Sequence, residues 1–560
     1  MLPRLLVASL AVLALAGCKK PKPPPAKPAE PKVDTAFVEG AWSPALLEGT
    51  PKQGGTLVVR LPLEPSSLNR IIASDLWLTR MVRPAVYETL LRVDGATQPE
   101  YPLRPCLATG YDESPDHLTY TFHLRQGVKF HDGAPFTAKD VVATFDKLMN
   151  PKVNAQSMRA LVEGLTSWKA LDPYTVEFKF KEPFYLALRQ LAASVPIMPA
   201  SIEKLSAEEF NTQAPINRAP NGTGPWRFEK WTTGQEIAFV RNDAYWDDTR
   251  KPHLDKLVFR VVGDVDAAYE QMAAGELDVL PNIQAKQWVR MGDDPRVVAN
   301  YRRFRYFNNN YGFLAWNEKR PVFADKRVRL ALAELFDQDS FNENLAYGLE
   351  LRTECIFFEA SPACDPEMKP IRYDPEDAKK QLVAAGWADH DGDGILDKDG
   401  EPFRFRLMVP PGNEKLVAMA TVLQQAYQAV GIDMQIEKPE WTVMLKRMHE
   451  HDFDAATMLW GLNDVEGDPY QVWHSSQAKG GSNWVSFDDP AADKLIEQGR
   501  REFDPTKRNL IWRALGREIH DQQPYMMLTV RPELEAVRKP FRGMKPSLAY
   551  YDFSTWWLDQ

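Results

Sequence analysis

The sequence lacks the short motifs by which many enzymes are recognised. Its 560 residues contain no G-x-S-x-G nucleophile elbow, no H-E-x-x-H zinc motif, no glycine-rich phosphate loop and no C-x-x-C pair. These absences argue against the common hydrolase, nucleotide-binding and thiol redox classes. We therefore expect a protein that is not an enzyme.

Positive charge and cysteine are also in short supply. Lys and Arg number 68 against 77 Asp and Glu, so the formal net charge is −9 and no basic surface indicates a nucleic-acid partner. Two of the four cysteines, Cys355 and Cys364, are nine positions apart. In an oxidising compartment this spacing predicts a local disulfide, with two buried thiols as the alternative. Cys106 is left over as a small core residue.

The N-terminus indicates export. Arg4 precedes the apolar run "LLVASLAVLALAG", which is too short to span a bilayer and is typical of a signal peptide, residues 1–17. The run ends in "LAGC", which is similar to the lipobox cut by the lipoprotein signal peptidase. This resemblance implies that Cys18 becomes the acylated first residue and anchors the chain to a membrane. An ordinary secretory signal is the alternative.

A tether follows the anchor. The proline- and lysine-rich stretch "KKPKPPPAKPAEPK" resists folding, so residues 18–50 are predicted to be a semi-rigid spacer. Fifteen such residues would extend over roughly 45 Å at about 3.1 Å each.

The stretch "VKFHDGAPFTAKDV" (residues 128–141) raises the question of chemistry, because His131 and Asp132 could be a metal or acid–base pair. The preceding "LTYTFHLR" alternates apolar and polar residues, as in a strand, and Thr137 with Asp140 resembles a helix capping box. His131-Asp132-Gly133 then falls in the turn between strand and helix, where Asp-Gly is favoured. A structural turn is the stronger interpretation.

An α/β pattern is clearest near the C-terminus. In "FRFRLMV" (residues 403–409) apolar residues alternate, and "NEKLVAMATVLQQAYQAVG" (413–431) repeats them at helical spacing before a terminating glycine. The following "IDMQIE" alternates again. Strand, helix and strand in this order predict a crossover onto a sheet.

Five stretches stand out: "YTFHLRQGVKFHDGAPFTAKDV" (120–141), "GTGPWRFEKW" (222–231), "RNDAYWD" (241–247), "AWNEKRPVFADKRVRLAL" (315–332) and "DPYQVWHSS" (468–476). Together they resemble the family 5 extracellular solute-binding proteins, the peptide-binding receptors of bacterial ABC importers. The resemblance runs in order through nearly everything after residue 54.

The resemblance implies an α/β fold of two lobes joined by a hinge, with an additional domain inserted in the N-terminal lobe. It places the chain crossings near residues 307–311 and 527–531. The implied boundaries are 51–92, 218–306 and 530–560 for the N-terminal lobe, 93–217 for the additional domain and 307–529 for the C-terminal lobe.

The resemblance also implies a function. A peptide or peptide-like solute would bind between the lobes of a monomer, which would deliver it to an ABC permease and its ATPase subunits without a required cofactor. A nickel complex, haem or an oligosaccharide are alternative ligands on the same scaffold. The rival class is an exported metal-dependent hydrolase, whose candidate residues are His131, Asp132, His449 and His451.

The stretch "MLWGLNDVEGDPYQVWHSSQ" (458–477) is the most informative for the ligand. In peptide-binding relatives an aspartate shortly after the tryptophan pairs with the peptide ammonium. The matching positions here are Asn463 and Asp464, and the loop is two residues longer. The further candidates for the cleft are Trp460, Trp473, Tyr311, Trp316, Asn317, Thr223 and Gly224; a core role for the tryptophans and a turn role for Asp464 are the alternative.

"DHDGDGILDKDG" (389–400) is similar to the first part of an EF-hand loop. Asp389, Asp391, Asp393 and Asp397 fall at loop positions 1, 3, 5 and 9, but position 12 is Gly400 where an EF-hand has Glu. A calcium-binding loop and a bare Asp/Gly turn are equally favoured.

Overall fold

The computed structural model describes residues 49–73, 76–82, 85–95, 97, 101–461, 466–544 and 552–559. All of these belong to one compact unit. The strands are β1 (Thr56–Leu61), β2 (Leu91–Val93), β3 (Leu103–Pro105), β4 (Ala108–Glu113), β5 (Thr119–Leu124), β6 (Leu165–Asp172), β7 (Thr175–Phe180), β8 (Trp226–Thr232), β9 (Glu236–Arg241), β10 (Lys256–Val261), β11 (Val279–Leu280), β12 (Tyr301–Phe307), β13 (Asn310–Trp316), β14 (Leu351–Arg352), β15 (Asp397–Lys398), β16 (Glu401–Pro402), β17 (Arg404–Met408), β18 (Asp433–Glu437), β19 (Ala455–Gly461), β20 (Tyr525–Met527), β21 (Thr529–Val530), β22 (Pro532–Arg538), β23 (Phe541–Arg542) and β24 (Trp557–Leu558).

The α-helices are α1 (Leu76–Val82), α2 (Ala138–Met149), α3 (Gln156–Ala160), α4 (Ala187–Ser194), α5 (Ala207–Thr212), α6 (Val265–Ala273), α7 (Ala285–Met291), α8 (Pro295–Asn300), α9 (Lys326–Glu334), α10 (Gln338–Leu345), α11 (Pro375–Ala384), α12 (Glu414–Gln428), α13 (Trp441–His449), α14 (Tyr470–Trp473), α15 (Pro490–Arg501) and α16 (Pro505–Gln522). Short 3₁₀ helices span Ala200–Lys204, Pro215–Asn217, Asp248–Arg250, Pro321–Phe323, Ser475–Ala478 and Phe553–Thr555. No helix of the described residues is both long enough and apolar enough to cross a membrane.

Three sheets organise the molecule. The N-lobe sheet has seven strands in the order β12-β22-β11-β1-β10-β9-β8, the C-lobe sheet has five in the order β18-β17-β19-β13-β20, and the small sheet has four in the order β4-β5-β7-β6. The strands of the N-lobe sheet come from three separate stretches of the chain. Each sheet lies within one of the predicted regions except that β12 reaches Phe307, one residue beyond the predicted N-terminal lobe. The exact domain boundaries stay a prediction.

The predicted strand–helix–strand unit is present in the C-lobe sheet. β17 pairs with β18 in parallel, from Arg404 opposite Asp433 to Met408 opposite Glu437, and α12 connects them. Met419, Leu423 and Tyr427 of α12 are buried, as their spacing predicts. Gly431, at φ +82°, follows the helix in the left-handed conformation that an L residue rarely adopts.

Strand β13 separates the two cores of the C-lobe. Leu314 and Trp316 enter the core that contains α9 and α12, whereas Tyr311, Phe313 and Ala315 enter the core that contains α15 and α16. Successive side chains of a strand point to opposite faces, so one strand supplies both cores. The face that carries Tyr311 and Phe313 also carries Trp460.

The capping box predicted at the start of α2 is confirmed. The backbone N–H of Thr137 donates to the Asp140 carboxylate at 2.7 Å, and the other carboxylate oxygen accepts from the N–H of Ala200, also at 2.7 Å. Asp140 therefore fixes both the helix start and the segment after α4.

The chain passes twice between the N-lobe and C-lobe sheets. The first passage lies between Phe307, the end of β12, and Asn310, the start of β13; the second leads from β20 through β21 to Pro532, the start of β22. The side-chain amide of Asn310 joins the two, because it donates to the carbonyl of Arg531 at 3.1 Å and accepts from its N–H at 3.0 Å. These two neighbouring passages occupy the place of a hinge.

Candidate ligand-binding cleft

A cavity of about 580 Å³ lies where the two lobes meet. One wall comes from residues 70–79 and 154–194, and the other comes from residues 460–482 of the C-lobe. This volume is within the range of small-molecule and cofactor sites. Because the walls belong to different lobes, closure of the lobes would complete the cavity.

The described lining is rich in groups that bind amides. Its hydrogen-bonding side chains are those of Thr79, Asn154, Gln156, Ser157, Gln190, Ser194, Gln471 and Ser482. Its apolar side chains are those of Ile71, Ile72, Met158, Leu161, Leu186, Trp460 and Val472. The charged lining residues are Arg70, Arg189, Glu466 and Asp468. The amide and hydroxyl side chains therefore offer hydrogen-bond partners to a ligand with a polar backbone, whereas Arg189 and Asp468 already contact other groups of the protein.

Asp468 is the carboxylate of the lining whose surroundings are clearest. One of its oxygens lies 3.2 Å from Nε of Arg500, and the other accepts from the N–H of Tyr470 at 3.1 Å. Burial raises the pKa of the Asp468 carboxyl, while the Arg500 guanidinium acts in the opposite direction. Arg500 is itself stacked over the rings of Tyr470 and Phe184, at 4.2 and 4.6 Å.

Tyr185 connects the segment before α4 to the C-lobe. Its hydroxyl donates to the carbonyl of Gly467 at 2.9 Å, and its N–H donates to the carbonyl of Arg500 at 3.1 Å. The guanidinium of Arg508 lies over its ring at 4.1 Å. Phe503 adds a second contact, since its ring stacks on His117, in the turn between β4 and β5, with centroids 3.7 Å apart. These contacts join the segment before α4 and the turn between β4 and β5 to the C-lobe.

Of the residues predicted for the cleft, Trp460 lines the cavity. Trp473 is buried against Tyr525 and Phe487 and does not contribute to the described lining, so its core alternative holds. Tyr311 is buried in the same core.

Trp316 and Asn317 are also not cleft residues. Trp316 is fully buried on the opposite face of β13, against Phe323 and Phe405. The side chain of Asn317 donates to the carbonyls of Phe453 and His451 at 2.7 and 3.1 Å. Neither residue is part of the described cavity lining, and the alternation of side chains along β13 directs Trp316 away from the face that carries Trp460.

Thr223 and Gly224 were expected to face the cleft and are instead buried. A Cβ on Gly224 would lie 2.5 Å from the carbonyl oxygen of Ala85, and one on Gly222 would lie 1.9 Å from that of Val86. These glycines are required because two backbone segments pack directly on each other.

His131 explains why the turn motif and the glycine motif occur together. Its backbone N–H donates to the carbonyl of Gly222 and its Nε2 contacts the carbonyl of Gly224, both at 2.9 Å. Burial lowers the pKa of the imidazole to about 4, so the ring is neutral at pH 7. Asp132 accepts from the N–H of Ala134 at 3.0 Å, which confirms the turn interpretation.

The geometry does not support the hydrolase alternative. Both ring nitrogens of His451 lie 2.7 Å from backbone carbonyls, those of Trp484 and Ala478, and His449 packs edge-on against the Trp484 ring. Among the described residues, neither histidine joins His131 and Asp132 in a cluster able to hold a metal ion. The convergence that the hypothesis requires is not found there.

The predicted pairing of Cys355 with Cys364 is present as a disulfide, with Cα atoms 5.6 Å apart. Cys106 is a buried free thiol that contacts the Glu88 carboxylate at 3.4 Å. In the Asp-rich loop, oxygens of Asp389, Asp391 and Asp397 lie within 4.8 Å of one another.

Asp393 is not part of that group, and its carboxylate accepts from the N–H of Ile395 at 2.7 Å. Calcium binding by the loop stays a prediction. Three further predicted sites, Cys18, Asn463 and Asp464, lie outside the described residues.

Most of the cavity wall could not be predicted from the sequence. Arg70, Asn154, Gln156 and Arg189 lie in no motif, and they come together only when separate stretches fold against one another. Asp468 could have been found, because it opens the stretch "DPYQVWHSS" that carries part of the resemblance.

Two α/β lobes, two adjacent passages between them and a ligand-sized cavity at their junction define a two-lobed solute-binding protein. The chain belongs to the family 5 bacterial extracellular solute-binding proteins, whose model for the middle region matches residues 102–482. The two-lobed α/β fold that the resemblance implied is thereby confirmed.

Individual relatives cover nearly the whole chain. It is 30% identical over 534 residues to the oligopeptide-binding protein AppA of Bacillus subtilis, covering 91% of this chain and 93% of that one. It is 26% identical over 486 residues to the nickel-binding periplasmic protein of Escherichia coli, covering 82% and 89%. The solved structure of Bacillus subtilis AppA in complex with a nonapeptide matches with a TM-score of 0.75 at 29% identity, covering 91% of this chain and 100% of that one.

Proposed function

We propose that this protein is the substrate-binding component of an ABC importer and captures a peptide or peptide-like solute between its lobes. The observation that carries the proposal is the composition of the 580 Å³ cavity, whose described lining combines amide and hydroxyl side chains with apolar surface. A peptide presents alternating donors and acceptors along its backbone and apolar groups among its side chains. Buried backbone polar groups need hydrogen-bond partners, and the amide and hydroxyl side chains of the lining can both donate and accept.

The lining favours a peptide over a metal complex held by protein ligands. Its described part contains neither histidine nor cysteine, the side chains that suit nickel and copper best. Carboxylates are present, but Asp468 is already engaged by Arg500. The similarity to an oligopeptide-binding protein over more than nine-tenths of both chains supports the same choice.

Lobe closure is the mechanism of capture in this proposal. The lobes would rotate about residues 307–310 and 527–532, and Tyr185 would make its contacts with Gly467 and Arg500 only in the closed form. A ligand that contacts both walls stabilises the closed form by its differential affinity for the two states. The permease would then recognise the closed protein.

The remaining parts of the proposal rest on the sequence. Cys18 would carry the lipid that anchors the protein to a membrane on the outer side, and residues 18–50 would be the tether. Asp464 would pair with the ligand's ammonium. Because a charge-assisted hydrogen bond contributes roughly 1.5–3 kcal/mol, Asp464→Asn should weaken a free-amine peptide by about tenfold or more and hardly affect its N-acetylated form.

Direct capture from a defined mixture tests the function. The full-length protein, freed of bound solutes in denaturant and refolded, is offered free-amine peptides of about two to nine residues together with nickel–histidine and haem, and bound molecules are identified by mass spectrometry. We expect peptides to be retained. Retention of nickel–histidine or haem in their place would contradict the proposal.

Two leucine variants locate the site in the same experiment. Leu161 lines the cavity, so the larger side chain of Leu161→Trp should occupy part of it and reduce retention. Leu171 on β6 is exposed, so Leu171→Trp should retain peptides as the wild type does. Equal retention by both variants would show that the ligand binds elsewhere.

A further inference from the structure

A second cavity, of about 390 Å³, lies beside the first. The two share Arg189, Glu466 and Gly467 as lining residues, so they are separated by a wall only a few side chains thick. We call this second space the aromatic compartment. The aromatic residues of its described lining are Tyr185, Phe357, Phe358, Phe503 and Trp512.

The aromatic compartment, like the main cavity, exists only between lobes. Pro102, Leu103 and residues 185–189 form one side, whereas residues 357–363 and 503–512 of the C-lobe form the other. The rings are mutually packed: Trp512 lies 5.7 Å from Phe357 and 6.1 Å from Tyr185, measured between centroids. A group that fills this space would therefore be enclosed by lobe closure.

The charged groups at the edge of the compartment are engaged by the protein. Arg508 donates to the carbonyls of Glu502 and Phe503 at 3.0 and 3.2 Å and lies 3.7 Å from the Glu466 carboxylate. Arg189 donates to the carbonyl of Tyr101 at 2.9 Å. What the compartment offers an occupant is accordingly aromatic and apolar surface rather than an ion-pair partner.

The disulfide supports one wall. Cys355 and Cys364 close the loop that contributes Phe357, Phe358 and Ala363 to the lining, and the loop is also held by Arg513, whose Nε donates to the carbonyl of Pro362 at 2.9 Å. The bond and this contact fix the position of two of the five rings.

From this geometry we infer that the aromatic compartment receives one large aromatic side chain of the bound peptide, inserted from the main cavity past Gly467. The inference rests on the proposed function and adds to it a selectivity for peptides that contain Phe, Tyr or Trp at one position. Aromatic rings prefer offset or edge-on packing against other rings, which this lining provides on several sides.

Phenylalanine-scanned pentapeptides test the inference. The probes are pentaalanine and its five single-Phe derivatives, and affinities for the full-length protein are measured by calorimetry. We expect one Phe position to bind roughly tenfold to hundredfold more tightly than pentaalanine, as burial of an aromatic side chain implies. Binding without preference at any position would overturn the inference but leave the proposed function standing; binding of none of the peptides would overturn both.

Matched substitutions assign the preference to the compartment. Leu188 lines the compartment and not the described main cavity, so Leu188→Trp should reduce the preferred peptide to the affinity of pentaalanine without weakening pentaalanine. Leu161→Trp, in the main cavity, should weaken all six. An unchanged Phe preference in Leu188→Trp would overturn the inference.

Leu188→Ala guards against a folding defect in the Trp variant. Leu188→Ala enlarges the compartment. When the scan is repeated with peptides that carry Trp in place of Phe, this variant should therefore show a larger preference for one position than the wild type does. A smaller one would contradict the assignment, and melting temperatures confirm that each variant is folded.

Discussion

The segment around His131 and the wall of the 580 Å³ cavity contrast in what the sequence reveals about them. The first carries two recognisable motifs, the turn after β5 and the glycine loop before β8, yet both are buried against each other. The second lines the candidate ligand site and, apart from the stretch 458–477, carries no motif. The two motifs of the first segment thus mark where backbones pack closely, whereas most of the described cavity wall is built from side chains outside any motif.

The largest effect should come from Gly222→Ala, which tests the scaffold side of this contrast. Its Cβ would lie 1.9 Å from the Val86 carbonyl oxygen, and backbone cannot yield as a side chain can. We expect a loss of about 3 kcal/mol or more in the free energy of unfolding, measured by urea denaturation. Gly110→Ala is the control, because a Cβ there meets nothing within 4 Å.

The same variant also tests whether the glycine loop has only a structural role. If the folded fraction of Gly222→Ala binds a different set of peptides from the wild type, the glycine loop takes part in ligand choice. A scaffold role requires that stability falls while the set of bound peptides is unchanged.

The same contrast explains which parts of the fold and of the candidate site could be predicted from the sequence. Local patterns predicted the capping box of α2 and the β17–α12–β18 unit, because these depend on neighbours in the chain. Trp316 was predicted for the cleft but lies on the opposite face of β13. The sequence does not show which face meets the cavity, because this depends on how α9, α12 and α15 pack against the strand. The cavity wall was missed because Arg70, Gln156 and Gln471 meet only in the folded chain.

The second prediction concerns Glu535, a buried carboxyl in the N-lobe sheet, with Asp468 at the cavity as its counterpart in the affinity measurement. Burial raises the pKa of Glu535 to about 8 from a reference value of 4.5, while the hydroxyl of Tyr306, which donates to it at 2.5 Å, acts in the opposite direction. A carboxyl whose pKa is raised on folding stabilises the protein below pH 4.5, and this stabilisation is lost as the pH rises through 8. Glu535→Gln should remove that pH dependence.

We therefore expect Glu535→Gln to match the wild type near pH 4.5 and to exceed its stability at pH 8 by an amount on the order of a few kcal/mol. Unfolding midpoints across this range measure it. Glu533→Gln is the matched control. It should destabilise at both pH values, because Glu533 is paired with the buried Arg80 at 2.6 Å.

Peptide affinity should change with Asp468→Asn and not with Glu535→Gln; the reverse result would remove the distinction between scaffold and cavity.

The third prediction concerns Tyr185, which connects the segment before α4 to the cavity wall at Gly467. Tyr185→Phe removes the hydrogen bond to Gly467 and keeps the ring, so the closed form should lose about 0.5–1.5 kcal/mol relative to the open form. Peptide affinity should then fall about two- to tenfold, since ligand binding and closure are linked. Calorimetry measures the affinity, and Tyr111→Phe, on β4, is the control. An unchanged affinity would mean that this contact forms without regard to closure.

The smallest effect is expected at the Asp-rich loop, the one motif that points to a ligand outside the cavity. Asp389, Asp391 and Asp397 bring oxygens within 4.8 Å of one another, and hard oxygen ligands suit calcium. Each also serves the loop itself: Asp389 accepts from the N–H of Gly392 at 2.7 Å, Asp391 from that of Asp393 at 3.1 Å and Asp397 from that of His390 at 2.8 Å. A weak site, with Kd on the order of 1 mM as in extracellular modules, would stabilise the protein by about 0.7 kcal/mol in 2 mM calcium.

Melting temperatures with 2 mM calcium and with a chelator should therefore differ slightly for the wild type and for Asp393→Asn, whose carboxylate is held by Ile395, and not at all for Asp391→Asn. If calcium has no effect on the wild type, the loop is a bare turn. It would then join the glycine loop as a motif whose role is to fold the chain, and the contrast between motif and cavity would hold throughout the described molecule.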